Sequence, residues 1–379
     1  MIIKNNLQSF IQTNMPIVLN TLRELCAIPA PSHFERERAE YCKSWLESAG
    51  AQGVYIDEAL NVVYPINCEE SDSITVFVAH TDTVFPDTEP MPYFDDGEKI
   101  HCPGVGDDTA SVCVLLTLAK YFTENKLTPP RGIMFVCNSG EEGLGNLKGT
   151  RKIFEDYEGR IAQFISLDSN LTVINDSCAG SHRYEVEVLT DGGHSYQNFG
   201  NANAICELSK IVAAIYGIEV PQKEGSRTTY NVGSILGGTS VNTIAQSAKM
   251  LCEYRSNDRE CLAFMQNKFE AIFEGARSER VRVNVNKIGD RPCSNIDDAK
   301  LEKLRCAVKP IIEDVIKAPV AFKVASTDCN IPLSLGIPAL CIGVYTGDGM
   351  HTREEWMDKA SLIPGLEIAV RVATTLTEV

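Results

Sequence analysis

Apolar positions along the chain follow two alternating rhythms. Short, almost unbroken apolar runs recur: "SITVFVA" at 73–79, "GIMFVC" at 132–137, "FISL" at 164–167 and "PALCIGV" at 338–344. Their length and β-branched content are those of strands buried on both faces. Between them the spacing becomes helical. Ala39, Cys42, Trp45, Leu46 and Ala49 share one face of residues 36–49, and Gly50 ends that run. Val112, Leu115, Leu116, Ala119 and Phe122 form a second such face, with Asp108 placed to cap its start. Strands alternating with helices predict an α/β fold, a mixed and largely parallel sheet with helices on both faces.

From residue 181 to 288 the rhythm changes. "HRYEVEVLT" alternates apolar and polar positions, as a strand with one wet face does. A helical run follows at "ANAICELSKIVAAIYGI", then strands near 228–236 and 247–255, a helix near 258–276 and the strand "RVRVNVNKI". That order, β-α-β-β-α-β, predicts a ferredoxin-like α+β domain. It interrupts a first domain made of residues 1–180 and 289–379.

Composition narrows the partners. The 379 residues carry 35 Lys plus Arg against 51 Asp plus Glu, a formal charge of −16. Such a surface repels nucleic acid and anionic membrane. It also leaves carboxylates available for divalent cations. The N-terminal stretch mixes polar with apolar residues and lacks the continuous apolar core of a secretory leader. No window approaches ~18 uninterrupted apolar residues, so no membrane span is expected. The 14 cysteines are scattered, with no C-x-x-C pair. Together these predict a cytoplasmic protein with reduced thiols.

Polar residues with ligand chemistry gather where the apolar runs stop. His80 and Asp82 follow the first strand without an intervening turn residue. Glu141 and Glu142 follow the second, in "NSGEEG"; Asp168 ends "FISLD"; His351 follows the last, in "YTGDGMHT". Asp107 and Asp108 sit in "GVGDDT", a glycine-rich turn before a helix. Open α/β sheets bind ligands beyond the carboxyl ends of their strands. Two histidines and several carboxylates at one edge suit zinc, with manganese or cobalt as alternatives.

The run His80-x-Asp82-Thr-Val, then "GVGDDTAS", "SGEEGLGNLKG", "LDS" and a late "HT", resembles the peptidase T, carboxypeptidase G and aminoacylase family of dinuclear zinc hydrolases. The resemblance spans nearly the whole chain. It implies two zinc ions per subunit: His80 and Asp168 on one, Glu142 and His351 on the other, Asp107 bridging both. It assigns Asp82 to fixing the His80 ring through its other nitrogen. Glu141 takes the general-base position, with a water shared by the two ions as nucleophile. It further implies a cis peptide at Asp107–Asp108. One departure is Thr109, where relatives commonly carry Lys; His101 and Cys102 also stand where relatives often show Tyr and Gly.

In "TDGGHSYQNFG", His194 reads on residues alone equally as part of a Gly-Gly turn or of a site. The resemblance makes it an oxyanion-binding residue that reaches a partner subunit's centre in a homodimer formed through the inserted domain. It likewise assigns Asn242 and Arg255 to substrate binding, Arg255 by the fit of its fork to a carboxylate. His33 and His182 read as structural or surface residues. No G-x-S-x-G elbow, H-E-x-x-H helix or G-x-x-x-x-G-K-[ST] loop is present. The expected activity is exopeptidase cleavage of short peptides, of the tripeptidase kind. Deacylation of N-acyl amino acids and glutamate-type carboxypeptidase action are alternatives from the same family, and a non-catalytic metal-binding homologue is a third.

Overall fold

The computed structural model describes residues 2–379 and divides into two compact units, one of residues up to 177 and 295–379, the other of residues 178–294. The insert expected at 181–288 lies inside the second unit, whose first strand begins at Gly180 and whose last ends at Arg291.

The first unit is built on an eight-stranded mixed sheet. Its centre is parallel: Ile133–Asn138, Ile74–His80, Ile161–Ser166 and Ala339–Ile342 lie side by side in that order. Antiparallel strands flank them, Val62–Ile66 beside Ile133–Asn138 and Val173–Cys178 beside Ala339–Ile342. Every residue of Ile74–His80 and of Ile133–Asn138 is buried, the pattern of strands covered on both faces. The helix Ser111–Glu124 turns Val112, Leu115, Leu116, Ala119 and Phe122 inward, and the helix Leu362–Thr377 contributes Leu362, Leu366, Ala369 and Val370. The chain opens with a helix, Ile2–Cys26, that the sequence pattern did not disclose. Its buried Leu7, Ile11, Val18, Leu22 and Leu25 keep helical spacing across Pro16, which obscured the period.

One expected cap is corrected. Asp108 does not cap the helix; Val105–Ala110 forms a wide turn first, and the helix starts at Ser111. The Asp108 carboxylate instead accepts the backbone N–H of His80 at 2.9 Å.

The second unit runs strand, helix, strand, strand, helix, strand. Its antiparallel sheet has the order Thr228–Gly237, Ser247–Ser256, Gly180–Leu189, Arg282–Arg291. The helices Ala204–Tyr216 and Arg259–Gly275 cover one face through Leu208, Ile211, Ile215, Met265, Phe269 and Phe273. Among the described residues, no helix is long and apolar enough to cross a membrane.

Candidate metal centre

The parallel strands end together, and their ends carry the acids and histidines. His80 is the last residue of its strand and 1% exposed. Its Nε2 lies 3.0 Å from Asp107 Oδ1. The other Asp107 oxygen, Oδ2, lies 3.0 Å from His351 Nε2, which also approaches Glu142 Oε1 at 3.0 Å. The donor atoms thus form two triads, His80–Asp107–Asp168 and Asp107–Glu142–His351, each with its atoms within 4.8 Å of one another. Asp107 belongs to both. A third grouping, His80–Glu141–Glu142, puts Glu141 at the same place. All five residues expected to hold metal therefore converge, together with Glu141.

Local chemistry explains why Asp107 is held between two imidazoles. The peptide between Asp107 and Asp108 is cis. Buried Glu355 accepts the backbone N–H groups of Gly104, Gly106 and Asp107, pinning the turn at three points. Gly106 is obligatory there, because a Cβ would come within 2.7 Å of the Tyr345 ring. Glu141 and Glu142 are fixed from the other side. The Asp82 carboxylate accepts both of their backbone N–H groups at 3.0 Å, and Ser32 Oγ donates to the same carboxylate at 2.6 Å. The 3-10 turn beyond them packs so tightly that a Cβ on Gly145 would lie 2.5 Å from Gly140 Cα.

Asp82 therefore holds more than was expected of it. His80 Nδ1 contacts the main-chain oxygen of Asp82 at 3.0 Å, whereas the carboxylate is 3.6 Å away. The ring is oriented chiefly by the carbonyl, and the carboxylate anchors the two glutamates. Burial would raise that carboxyl, but His80, Ser32 and the backbone of Glu142 bring it to about 2.

Electrostatics test whether these residues fit a cation. Burial pushes Glu142 up to about 7, with Asp107 the next cause. Burial, again seconded by neighbouring acids, drives Asp108 and Asp168 well above the carboxylate range. His351 rises to about 10 because Asp107 and Glu142 hydrogen-bond to it. Burial would lower His80, but Asp107 and Asp82 carry it up instead. Protons are thus held where positive charge is in short supply, between oxygen and imidazole donors of the kind borderline metals prefer. The donor set fits.

The residues expected to bind substrate all lie in the second unit. His194 is exposed and pairs in register with Thr243, and Ser195 N donates to Asn242 O at 3.0 Å, so Asn242 sits in the turn just before the short strand that pairs with the one bearing His194. Arg255 is engaged elsewhere: its Nε and Nη2 reach Glu253 at 2.8 and 3.1 Å. His182 is buried against the Tyr254 hydroxyl, while His33 is exposed with φ of 77°. Sequence reasoning missed Ser32, Glu355 and Asp328, the last a buried acceptor for Asn138 Nδ2 at 2.7 Å and for Thr150. Glu355 had one signal, an acid four residues past His351.

The sequence matches the profile of peptidase family M20/M25/M40 over residues 76–375. It is 26% identical over 249 residues to a peptidase M20 domain-containing protein of Schizosaccharomyces pombe, covering 64% of this chain and 60% of that one. It is 23% identical to the uncharacterized protein YqjE of Bacillus subtilis, covering 94% and 97%. Among solved structures it resembles aminopeptidase PepT of Bacillus cereus, with TM-score 0.72, 19% identity and 96% and 99% of the two chains covered. A tripeptidase of Staphylococcus aureus gives 0.71, 22%, 95% and 99%. A dinuclear metal-binding M20 peptidase of Bacillus subtilis gives 0.64, 15%, 97% and 99%. With 300 of its 379 residues inside that profile and the donor set assembled at the sheet edge, the chain belongs to peptidase family M20/M25/M40 and is a metal-dependent hydrolase.

Proposed function

We propose that the chain is a dinuclear zinc exopeptidase acting on short peptides. The observation that carries this reading is the sharing of Asp107 by two donor triads. His80 and Asp168 would hold one ion, Glu142 and His351 the other, and Asp107 both. Bound cations would supply Lewis-acid polarisation of the scissile carbonyl and acidify the attacking water. Glu141, 5% exposed and adjacent to a ligand, would accept the proton from that water and return it to the leaving amine. Asp82 would keep Glu141 and the His80 ring in place. His194 would donate to the oxygen that gains charge, with Asn242 and Arg255 near the remainder of the substrate. For Arg255 that role requires release from Glu253.

A homodimer through the second unit fits its surface. Thr228–Gly237 is an edge strand whose Ile235 and Leu236 are 51% and 74% exposed, and Tyr196 and Phe199 beside His194 are 87% and 91% exposed. A reducing, cytoplasmic setting fits the cysteines, all free and all buried except Cys206 and Cys306.

The solved structures named above are an aminopeptidase, a tripeptidase and an M20 peptidase, which favours a peptide over an acyl amino acid. Fungal relatives named as probable carboxypeptidases, at 24% identity, keep carboxypeptidase action as the second reading. Zinc-loaded full-length protein, offered free tripeptides, N-blocked and C-amidated tripeptides, and N-acyl amino acids, is expected to cleave the free tripeptides. Cleavage of the acyl compounds alone would remove the peptidase reading. Cleavage of N-blocked but not C-amidated peptides would establish the carboxypeptidase one.

A further inference from the structure

Next to the acid-rich centre lies a buried cation with no acid of its own. Arg38, on the helix Arg36–Ser48, is 2% exposed, and among the described residues it forms no ion pair. Its hydrogen bonds all run to uncharged oxygens. Nε donates to the Ile28 carbonyl at 2.8 Å; Nη1 donates to the Thr81 carbonyl at 3.0 Å and to Thr109 Oγ1 at 3.1 Å. The titratable groups around it are the thiols of Cys26, Cys42, Cys102 and Cys113. A guanidinium keeps its proton even here. Burying it unpaired costs free energy, so something must offset that cost.

The two acceptors of Nη1 indicate what does. Thr81 is the residue between His80 and Asp82. Thr109 directly follows the Asp107–Asp108 peptide, and its hydroxyl also donates to the Gly104 carbonyl at 2.6 Å, inside the same turn. One nitrogen therefore ties the strand end bearing His80 to the turn bearing Asp107. These segments are 27 residues apart in sequence, and their side chains must sit 3.0 Å apart.

We propose that Arg38 is a positioning residue of the metal centre. It sets the spacing between the His80 and Asp107 segments through its hydrogen bonds to Thr81 and Thr109. Thr109 is the adaptor that lets the guanidinium reach the turn. The inference rests on reading His80 and Asp107 as ligands. A Lys at 38 would keep the charge but could not reproduce the guanidinium's planar donor fork, which reaches Ile28, Thr81 and Thr109 together.

The test measures zinc affinity of the full-length protein by competition with a chromogenic chelator, alongside thermal unfolding of the cation-free form. Arg38→Met is expected to weaken zinc binding about 10- to 100-fold, the range found when groups that orient metal ligands are removed. Arg38→Lys should recover part of that loss. Thr109→Val, nearly isosteric, should weaken binding several-fold, and its effect should not add to that of Arg38→Met. In Arg38→Met with Thr109→Lys, the new ammonium enters the space the guanidinium left, and affinity should return towards wild type. A purely structural Arg38 would lower the unfolding temperature and leave zinc affinity unchanged, which would overturn the proposal. If Arg38→Met does not fold, wild-type affinity in both Arg38→Lys and Thr109→Val does the same. Wild-type protein that binds no zinc would instead sink the metal reading itself, a separate result.

Discussion

The candidate metal centre and the unit of residues 178–294 treat charge in opposite ways. In the unit of residues 178–294, acids come with cations. Asp290 lies 3.4 Å from His182 Nε2 and beside Lys287, and these contacts draw its carboxyl well below the ordinary range. Burial would raise Glu253, but Arg255 and Arg183 carry it down. At the candidate metal centre, Asp108, Glu142, Asp168 and Glu355 are all pushed up, by burial first and with Asp107 adding to each. A unit that balances its own charges needs nothing from outside to be stable. A cluster that does not is incomplete by itself, and strained ionisation of this sort concentrates where proteins bind and react.

Removing part of the surplus should break the contrast most severely. His80→Ala takes away a donor shared by two of the three groupings, so zinc content per chain should fall and hydrolysis should drop to background. Glu141→Gln keeps the donors assigned to the metal and removes the proton acceptor. It should retain near-normal zinc and lose about 10²- to 10⁴-fold in kcat, the usual worth of a placed general base. Metal analysis beside initial rates decides the matter. Full turnover in Glu141→Gln would unseat it as the base.

The next effect tests whether the self-balanced unit takes part in the chemistry. His194 is exposed and belongs to none of that unit's ion pairs. His194→Ala should leave zinc content untouched and cost about 10²- to 10³-fold in kcat, as loss of one oxyanion donor does. Mixing inactive His194→Ala subunits with inactive Glu141→Gln subunits should restore part of the activity through hybrid dimers. Absence of any recovery would argue that His194 does not act across a subunit boundary.

What could be read from the chain beforehand follows from how each group does its work. The convergence of His80, Glu142, Asp168 and His351 was legible because an apolar strand runs straight into His80, and the other three follow soon after an apolar strand stops. Asp107 was legible from the glycines around it. Ser32, Glu355 and Arg38 left no such mark. Each acts through main-chain atoms or another side chain of a segment distant in sequence, and a spacing cannot encode which backbone a carboxylate will find. Asp108 misled for a related reason: an acid before an apolar helical run is ordinarily a cap, and here the turn at 105–110 diverts it to the His80 N–H. The first helix was hidden by Pro16, and its face of Leu7, Ile11, Val18, Leu22 and Leu25 emerges only from burial.

The smallest effect sharpens the contrast from the balanced side. Tyr254 is fully buried, with its hydroxyl 2.5 Å from His182 Nδ1 and 3.1 Å from the Tyr184 hydroxyl. Tyr254→Phe keeps the ring that packs on Phe269 and deletes only the oxygen. It leaves a buried imidazole nitrogen and a buried phenol short of a partner, which costs about 1–3 kcal/mol. That loss should appear as a lower unfolding temperature, with zinc affinity unchanged, because none of the donors proposed for the metal belongs to this unit. Zinc affinity measured on the folded variant keeps the two quantities apart. If it fell together with stability, the two charge systems would be coupled, and the self-sufficiency ascribed to residues 178–294 would have to be given up.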